Sequence, residues 1–256
     1  MKEQTDFLSK PHVIYDVRTD LILLENQLPF FVLNGLFSIA FNDQSRTTFP
    51  ELCINYFRYL MITRDFEKTV SNLMIQLTSG YEVKHLLDLL RISHISSSLV
   101  LRPEGRGKLI KIRNAVALQE AGMTFKRGSI NCLLDLRYNV GILQIPRITL
   151  DDFSEFVLRN FVAFEFCHYP FDSYITDYII FMDSLIDTDK DVDILVENYV
   201  IMNWLGDSSA VAALFNSLGT ETVVWGTGAN FNIIYESLNA YCNVRWHKWK
   251  ATLKRD

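Results

Sequence analysis

The sequence has little cysteine, and its four cysteines lie far apart without a CxxC pair. They are Cys53, Cys132, Cys167 and Cys242. A disulfide scaffold or a structural zinc site needs more numerous or more closely spaced cysteines, so neither is predicted. We expect reduced thiols on the cytosolic side of a membrane.

Glycine and proline are also scarce, at 11 and 6 of 256 residues, and only 21% of the residues are charged. Together with 49% hydrophobic residues, this excludes a disordered, collagen-like or low-complexity protein. The length predicts one or two domains. A net charge of -5 excludes a general attraction to nucleic acid.

No uncharged run has the length that a membrane crossing normally needs. The strongest candidate covers residues 26–42, which are 17 residues that include Pro29 and Gly35. A span needs about 20 mostly apolar residues. We therefore expect a buried helix here rather than a membrane span.

Apolar residues recur at helical spacing in the first half of the chain. This spacing predicts helices over residues 20–28, 30–39, 50–61, 81–92 and 111–121. In the fourth helix, Asp88 and Arg91 fall outside the apolar positions and are expected to face solvent. Gly122 follows the fifth helix and is expected to end it in left-handed geometry.

The periodicity changes between residues 132 and 145. Two β-favouring runs, 132–138 and Ile142–Ile145, are separated by Asn139, Val140 and Gly141, which indicates a hairpin. Pro146 lacks an N–H donor and is expected to end the second strand.

Helical patterns return after the hairpin, over residues 151–168, 173–186, 189–199, 207–219 and 231–256. Large apolar residues lie almost all round the first of these helices, so we expect it at the centre of the core. The predicted fold class is mainly α. It is a multi-helix, bundle-like single domain over residues 1–256, with a small β-hairpin and a possible subdomain boundary in the loop 93–107.

One acidic run has the spacing of a calcium loop, with Asp187, Asp189, Asp191 and Asp193 at every second position. The run lacks the glycine and the bidentate glutamate that such a loop needs, since Val192 and Asn198 occupy those positions. We interpret the run as an acidic helix start, where the dipole favours carboxylates. No metal or other cofactor is predicted.

Two further patterns suggest chemistry only weakly. Cys167 and His168 are neighbours on a predicted helix, where their side chains point about 100° apart, so a core cysteine is favoured over a nucleophile. Two glycine pairs, at 105/107 and 226/228, lack a preceding strand and are interpreted as turns.

Basic residues gather in two places. Residues 102–113 hold five cations: Arg102, Arg106, Lys108, Lys111 and Arg113. They are interpreted as part of a solvated loop, and the alternatives are contact with lipid or a protein partner or, least favoured, with nucleic acid. The last helix carries an apolar arc and a basic face, and cations there complement its dipole. This possible membrane-proximal face consists of Arg245, Lys248, Lys250, Lys254 and Arg255.

Several sequence blocks resemble the plant domain of unknown function 247 family. They begin with LLENQLPFFVL at 23–33 and HLLDLLR at 85–91, followed by LQEAGMTFKRG at 118–128 and LQIPRITLDD at 143–152. LRNFVAFEFCH at 158–168, FMDSLIDTDKDVDIL at 181–195, NWLGD at 203–207 and LNAYCNVRWHKWKATLKRD at 238–256 complete the set. The motif residues of most interest are Glu25, Asn26, Gln27, Leu28, Pro29, Phe30, Phe31, Glu165, Cys167, His168 and Asp183.

The resemblance implies a longer protein with an additional N-terminal region and one C-terminal membrane helix. We therefore expect this chain to be a fragment or a truncated product, soluble or peripheral by itself and cytosolic in its full-length relatives. Some relatives are associated with self-incompatibility in grasses, which implies recognition or signalling.

These observations favour a non-enzymatic plant protein-interaction or signalling module. The expected partners are an unidentified protein and an acidic membrane surface, without nucleic acid. The alternative hypothesis is an uncharacterised enzyme without a recognisable catalytic motif.

Overall fold

A computed structural model describes residues 10–41, 47–63, 65–95, 111–128, 132–221 and 231–253, except for the side chains at 11, 12, 15, 221 and 245–253. The described parts contain eleven α-helices and five short strands, which confirms the mainly α prediction. The possible boundary at 93–107 lies mostly outside the described residues.

The first half of the described chain is helical. Its helices are α1 (Pro11–Asp20), α2 (Phe30–Phe41), α3 (Phe49–Phe57), α4 (Phe66–Thr78), α5 (Leu86–Ser93) and α6 (Ala115–Glu120). The predicted helix over residues 20–28 is wrong, because only a single 3-10 turn forms there, at Leu24–Asn26. The helices α1 and α4 were not predicted.

Several of the helices begin where side chains satisfy their free N–H groups. Thr48 and Glu51 form a reciprocal capping box at the start of α3. Asp65 accepts a hydrogen bond from the Lys68 N–H at the start of α4, and Asn114 accepts one from Ala117 at the start of α6. Gly122 has φ +87° two residues after the end of α6, which confirms its predicted left-handed role.

The predicted hairpin is confirmed, with a later start. Strand β2 (Arg137–Asn139) pairs antiparallel with β3 (Ile142–Ile145) across a turn at Val140 and Gly141. Both turn residues have positive φ, at 35° and 81°, as the tight primed hairpin turns require.

Two parallel strand pairs were not predicted. Strand β1 (Thr124–Arg127) pairs with the other edge of β3, which gives a three-stranded sheet. Strand β4 (Ile148–Leu150) begins two residues after Pro146 and pairs with β5 (Ile201–Asn203). These strands connect residues far apart in the sequence.

The second half completes the core. Its helices are α7 (Ser154–His168), α8 (Tyr174–Leu185), α9 (Asp189–Glu197), α10 (Ser208–Glu221) and α11 (Asn232–Leu253). All eight residues of α5 are buried, as are nine of the twelve residues of α8, and α8 packs against α7 and α10. The expectation that α7 occupies the centre holds for Phe161 and Phe164, which are fully buried, but Phe166 is 56% exposed.

Candidate functional site

The helix α2 exposes one continuous apolar face, which we call the α2 face. At 100° per residue, Phe31, Val32, Gly35, Leu36 and Ile39 fall within one arc of about 140°. Phe31 is 77% exposed and Ile39 is 78% exposed, and Leu36 is 58% exposed. The expectation of a buried helix is therefore wrong for this side, although Phe30 on the opposite side is buried against Phe49.

The composition of α2 explains the wrong expectation. Residues 30–41 contain no charge, and an apolar stripe normally indicates a contact with the core. In the structure, only the stripe that begins at Phe30 reaches the core. No helix in the described part of the chain has the length and hydropathy of a membrane span.

The segment before α2 is fixed by the side chain of Gln27. Its amide nitrogen donates to the carbonyl oxygens of Leu21 at 3.0 Å and Leu23 at 2.6 Å, and its oxygen accepts from the Leu87 N–H at 3.0 Å. The last bond satisfies a free N–H group at the start of α5. Gln27 thereby fixes the segment before α2 to the start of α5.

Two more hydrogen bonds hold the same segment. The Phe30 N–H donates to the Lys84 carbonyl oxygen at 2.7 Å, just before α5. The Asn160 side chain on α7 accepts from the Leu24 N–H at 3.1 Å. The α2 face therefore starts from a backbone fixed to two other helices, whereas Glu25 and Asn26 are exposed.

A buried ion pair links α5 to α7. Arg91 is 3% exposed and Glu165 is fully buried, and the Arg91 Nε lies 2.8 Å from the Glu165 Oε1. Because a buried charge needs compensation, both side chains also bind elsewhere. The expectation that Arg91 faces solvent is therefore wrong. The residues around Arg91 in the sequence do not indicate that Glu165 lies beside it in the fold.

The Glu165 carboxylate also caps the start of α8. It accepts hydrogen bonds from the Ile175 N–H at 3.1 Å, from the Thr176 N–H at 2.8 Å and from the Thr176 hydroxyl at 2.7 Å. A carboxylate at a helix N-terminus is stabilised by free N–H groups and by the helix dipole. Glu165 therefore joins three helices.

The Arg91 guanidinium is satisfied on its other side by backbone and aromatic groups. Its Nη2 donates to the Asp172 carbonyl oxygen at 2.6 Å, and its Cζ lies 4.4 Å from the Tyr169 ring centre. Stacking on an aromatic ring stabilises a desolvated arginine. We call Arg91, Glu165, Thr176 and Tyr169 the Arg91–Glu165 cluster.

Asp88, one turn before Arg91, is fully buried as well, so its expected solvent exposure is also wrong. Its carboxylate accepts hydrogen bonds from the Tyr81 hydroxyl and the Lys84 N–H, both at 3.0 Å. Burial and the nearby Asp88 charge raise the pKa of Tyr81, so its hydroxyl keeps the proton that it donates. This arrangement stabilises the loop that receives Phe30.

A family described as a plant protein of unknown function, domain of unknown function 247, matches residues 1–256. The chain belongs to this family. It is 26% identical to the UPF0481 protein At3g47200 of Arabidopsis thaliana, over 93% of this chain and 53% of that protein. It is 30% identical to the putative UPF0481 protein At3g02645 of the same plant, over 50% of this chain and 25% of that protein.

The chain thus spans about half the length of the first of these relatives. No solved structure matches it. The sequence blocks at 23–33, 85–91 and 158–168 meet in space, because Gln27 binds the Leu87 N–H and Arg91 binds Glu165. The structure therefore brings together blocks that lie far apart in the sequence.

Cys167 and His168 do not belong to the buried cluster. Both are exposed, so the prediction of a core cysteine is wrong at Cys167. The His168 ring lies 5.0 Å from the Phe164 ring and 6.2 Å from the His85 ring. His85 caps α5 through its Nδ1, which accepts from the Asp88 N–H at 3.2 Å, and burial lowers its pKa.

Asp183 lies on α8, where its half-buried carboxylate packs directly on the α10 backbone. A Cβ atom at Gly219 would overlap this carboxylate. Burial, followed by the charge of Asp187, raises the pKa of Asp183 to about 6. Gly219 is therefore required for close packing of α8 against α10.

The acidic run forms a helix start, as its interpretation predicted. Thr188 and Asp191 make a capping box at α9, and Asp191 is fully buried. One oxygen of Asp191 also accepts from the Val116 N–H at 2.9 Å, at the start of α6. Asp193 accepts from the Ser208 hydroxyl at 2.6 Å. In the described part of the chain, no three histidine, cysteine or acidic side chains form a group that could hold a metal ion.

The predicted basic groups lie mostly outside the described side chains. Lys111 and Arg113 are exposed, whereas Arg102, Arg106 and Lys108 lie outside the described residues, as do both glycine pairs. Arg245, Lys248 and Lys250 belong to the backbone of α11, but their side chains are not described, and Lys254 and Arg255 lie beyond the described range. The basic face stays a prediction.

Sequence reasoning missed Tyr81, Tyr169 and Thr176, which complete the buried polar groups. Thr176 lies at the start of a predicted helix, where a polar partner for the first N–H groups is expected. The tyrosines gave no such signal, because they bind residues distant in the sequence.

Proposed function

We propose that this chain is a non-enzymatic protein-interaction module that binds its partner through the α2 face. The observation that carries the proposal is the exposure of Phe31, Leu36 and Ile39 on a helix without charges. Contiguous exposed apolar surface marks interaction sites in soluble proteins. The expected partner presents an apolar helix, because such a helix packs its side chains between those of α2.

The composition of α2 favours a protein partner over a lipid surface. A helix that lies in a membrane interface usually carries lysine or arginine along its polar side. Residues 30–41 contain neither of these two residue types. Twelve helical residues also extend only about 18 Å, well below the roughly 30 Å of a bilayer core.

The base of α2 supports the proposal because it is already ordered. Gln27 and the Phe30 N–H fix the entry of the helix to α5 and its preceding loop. A surface that is fixed before binding loses less conformational entropy when a partner arrives. The buried Arg91–Glu165 cluster in turn holds α5 against α7 and α8.

We further propose that full-length relatives hold this module next to the cytosolic face of a membrane, where it serves recognition or signalling. The basic residues of the last helix are the proposed lipid contact, each contributing on the order of 1 kcal/mol near anionic lipids. Flotation with phosphatidylserine liposomes tests this. Binding lost at high salt and in a Lys248→Glu, Lys250→Glu, Lys254→Glu variant is expected, and equal binding to neutral liposomes would contradict it.

Site-specific photo-crosslinking in plant cells tests the interaction proposal. A photoreactive phenylalanine replaces Leu36 on the α2 face or, as the control, the exposed Asn55 on α3. We expect one defined protein adduct from position 36, absent at position 55 and abolished by Ile39→Glu. Equal adducts at both positions, or adducts that persist with Ile39→Glu, would refute the proposed surface.

A further inference from the structure

The α2 face suits a second copy of itself, and we propose that two copies of this chain pair through antiparallel contact of their α2 helices. This inference rests on the proposed function, because it names the partner of the same surface. A twofold contact brings identical patches together, so the patch must complement itself in charge and in shape.

Charge does not oppose the pairing. Residues 30–41 are uncharged, so a twofold contact brings no like charges together. The nearest polar side chains on α2, Asn34 and Ser38, lie beside the apolar arc, where they can face water at the edge of the contact. An apolar centre with a polar edge is the usual organisation of a protein interface.

Gly35 gives the face a shape that another helix fits. It lies within the apolar arc, midway between Phe31 and Ile39 along the helix, and a Cβ atom added there would have nothing within 4 Å. Phe31 and Ile39 lie one turn before and one turn after it. In an antiparallel pair crossing at Gly35, Phe31 of one copy opposes Ile39 of the other, and the absent side chain lets the helix axes approach below the usual 8–10 Å.

The available area meets the lower limit for a specific interface. The four side chains of the α2 face, Phe31, Val32, Leu36 and Ile39, are between 41% and 78% exposed, and Leu28, two residues before the helix, is 57% exposed. If a fully exposed large apolar side chain presents about 150 to 200 Å², they present on the order of 500 Å² per copy. Two copies bury about 1,000 Å², which is the size that a specific contact is expected to reach.

Sedimentation equilibrium of the purified chain tests the pairing. We expect the mass to rise with concentration from 29.7 kDa to twice that value and no further. Ile39→Glu should weaken the dimer by at least about 100-fold, because each copy would bury an unpaired carboxylate. Asn34→Glu, which adds the same charge to the same helix outside the arc, should leave the dimer within a few-fold of the original.

Gly35→Leu separates a fitted contact from unspecific association. The added side chain makes the face more apolar but prevents close approach, so we expect a weaker dimer and no larger species. A monomer at concentrations of about 100 µM, or open-ended association that Gly35→Leu strengthens, overturns the dimer. A monomer that still gives the position 36 adduct with another protein would leave the proposed function standing.

Discussion

Replacing Glu165 by glutamine is the sharpest perturbation of the interior. The glutamine side chain would retain the shape, but its NH₂ group would face donors that the carboxylate now accepts from, either Arg91 or Thr176. The substitution would also leave the Arg91 charge buried without compensation. Breaking a buried pair in this way costs about 3 to 5 kcal/mol.

That loss is a large part of the roughly 5 to 15 kcal/mol by which a typical domain is stable. At about 2 to 4 °C per kcal/mol for a domain of this size, the melting temperature of Glu165→Gln should fall by roughly 6 to 20 °C. Urea unfolding followed by circular dichroism gives the free energy directly. The slope with urea should stay constant, since the folded surface is unchanged.

The same helix provides a matched control. Glu155 pairs with Arg159 at 2.7 Å on the surface of α7, with the two side chains 54% and 34% exposed. Glu155→Gln should change the free energy of unfolding by no more than about 0.5 kcal/mol. Equal effects of Glu165→Gln and Glu155→Gln would refute the account of the buried pair. Additive effects of Arg91→Met and Glu165→Gln would refute it as well.

Three further predictions concern pH and backbone strain. The pKa of Asp183 is raised to about 6 in the folded protein, so the folded state loses stability as the pH rises from about 4 to 6 and this carboxyl group ionises. Asp183→Asn should therefore raise the melting temperature more at pH 7.5 than at pH 4.5. Burial lowers the pKa of His94 to about 4, so stability should fall as the pH falls from about 6.5 to 4, and His94→Gln should flatten that part of a pH series of unfolding curves. Val140 is 87% exposed and has φ 35°, a backbone conformation that is strained for valine and tolerated by asparagine. Val140→Asn should therefore raise the free energy of unfolding by about 1 kcal/mol. A loss of stability in calorimetry would contradict the backbone strain at Val140.

Local patterns predicted the local structure well. The hairpin turn at Val140 and Gly141 and the helix end at Gly122 depend on a few neighbouring residues, and the structure confirms both. The spacing of four residues between Glu155 and Arg159 is typical of an ion pair on a helix surface, and the pair is present. The helix α4 was not predicted, although the sequence contains two signals for it. Asp65 is a suitable N-cap, and apolar residues recur at helical spacing at Val70, Leu73 and Leu77.

Long-range contacts account for the main failures. The strands β1 and β4 have only four and three residues, and their parallel partners lie 18 and 53 residues later in the chain. Asp88 and Arg91 resemble solvent-exposed charges until Tyr81 and Glu165 are brought beside them by folding. The apolar pattern of α2 shows which residues are apolar but not whether this chain covers them, which is why the pattern alone indicated a buried helix.

Hydroxyl-radical footprinting of the α2 face tests the central claim most directly. We predict that Phe31 and Ile39 react rapidly in the dilute chain and become protected when the chain associates, while the exposed Tyr199 and Trp204 keep constant rates. Slow reaction of Phe31 and Ile39 in the dilute monomer would show that the chain already covers this face. That result, or protection equal at Tyr199 and Trp204, would contradict an interaction surface on α2.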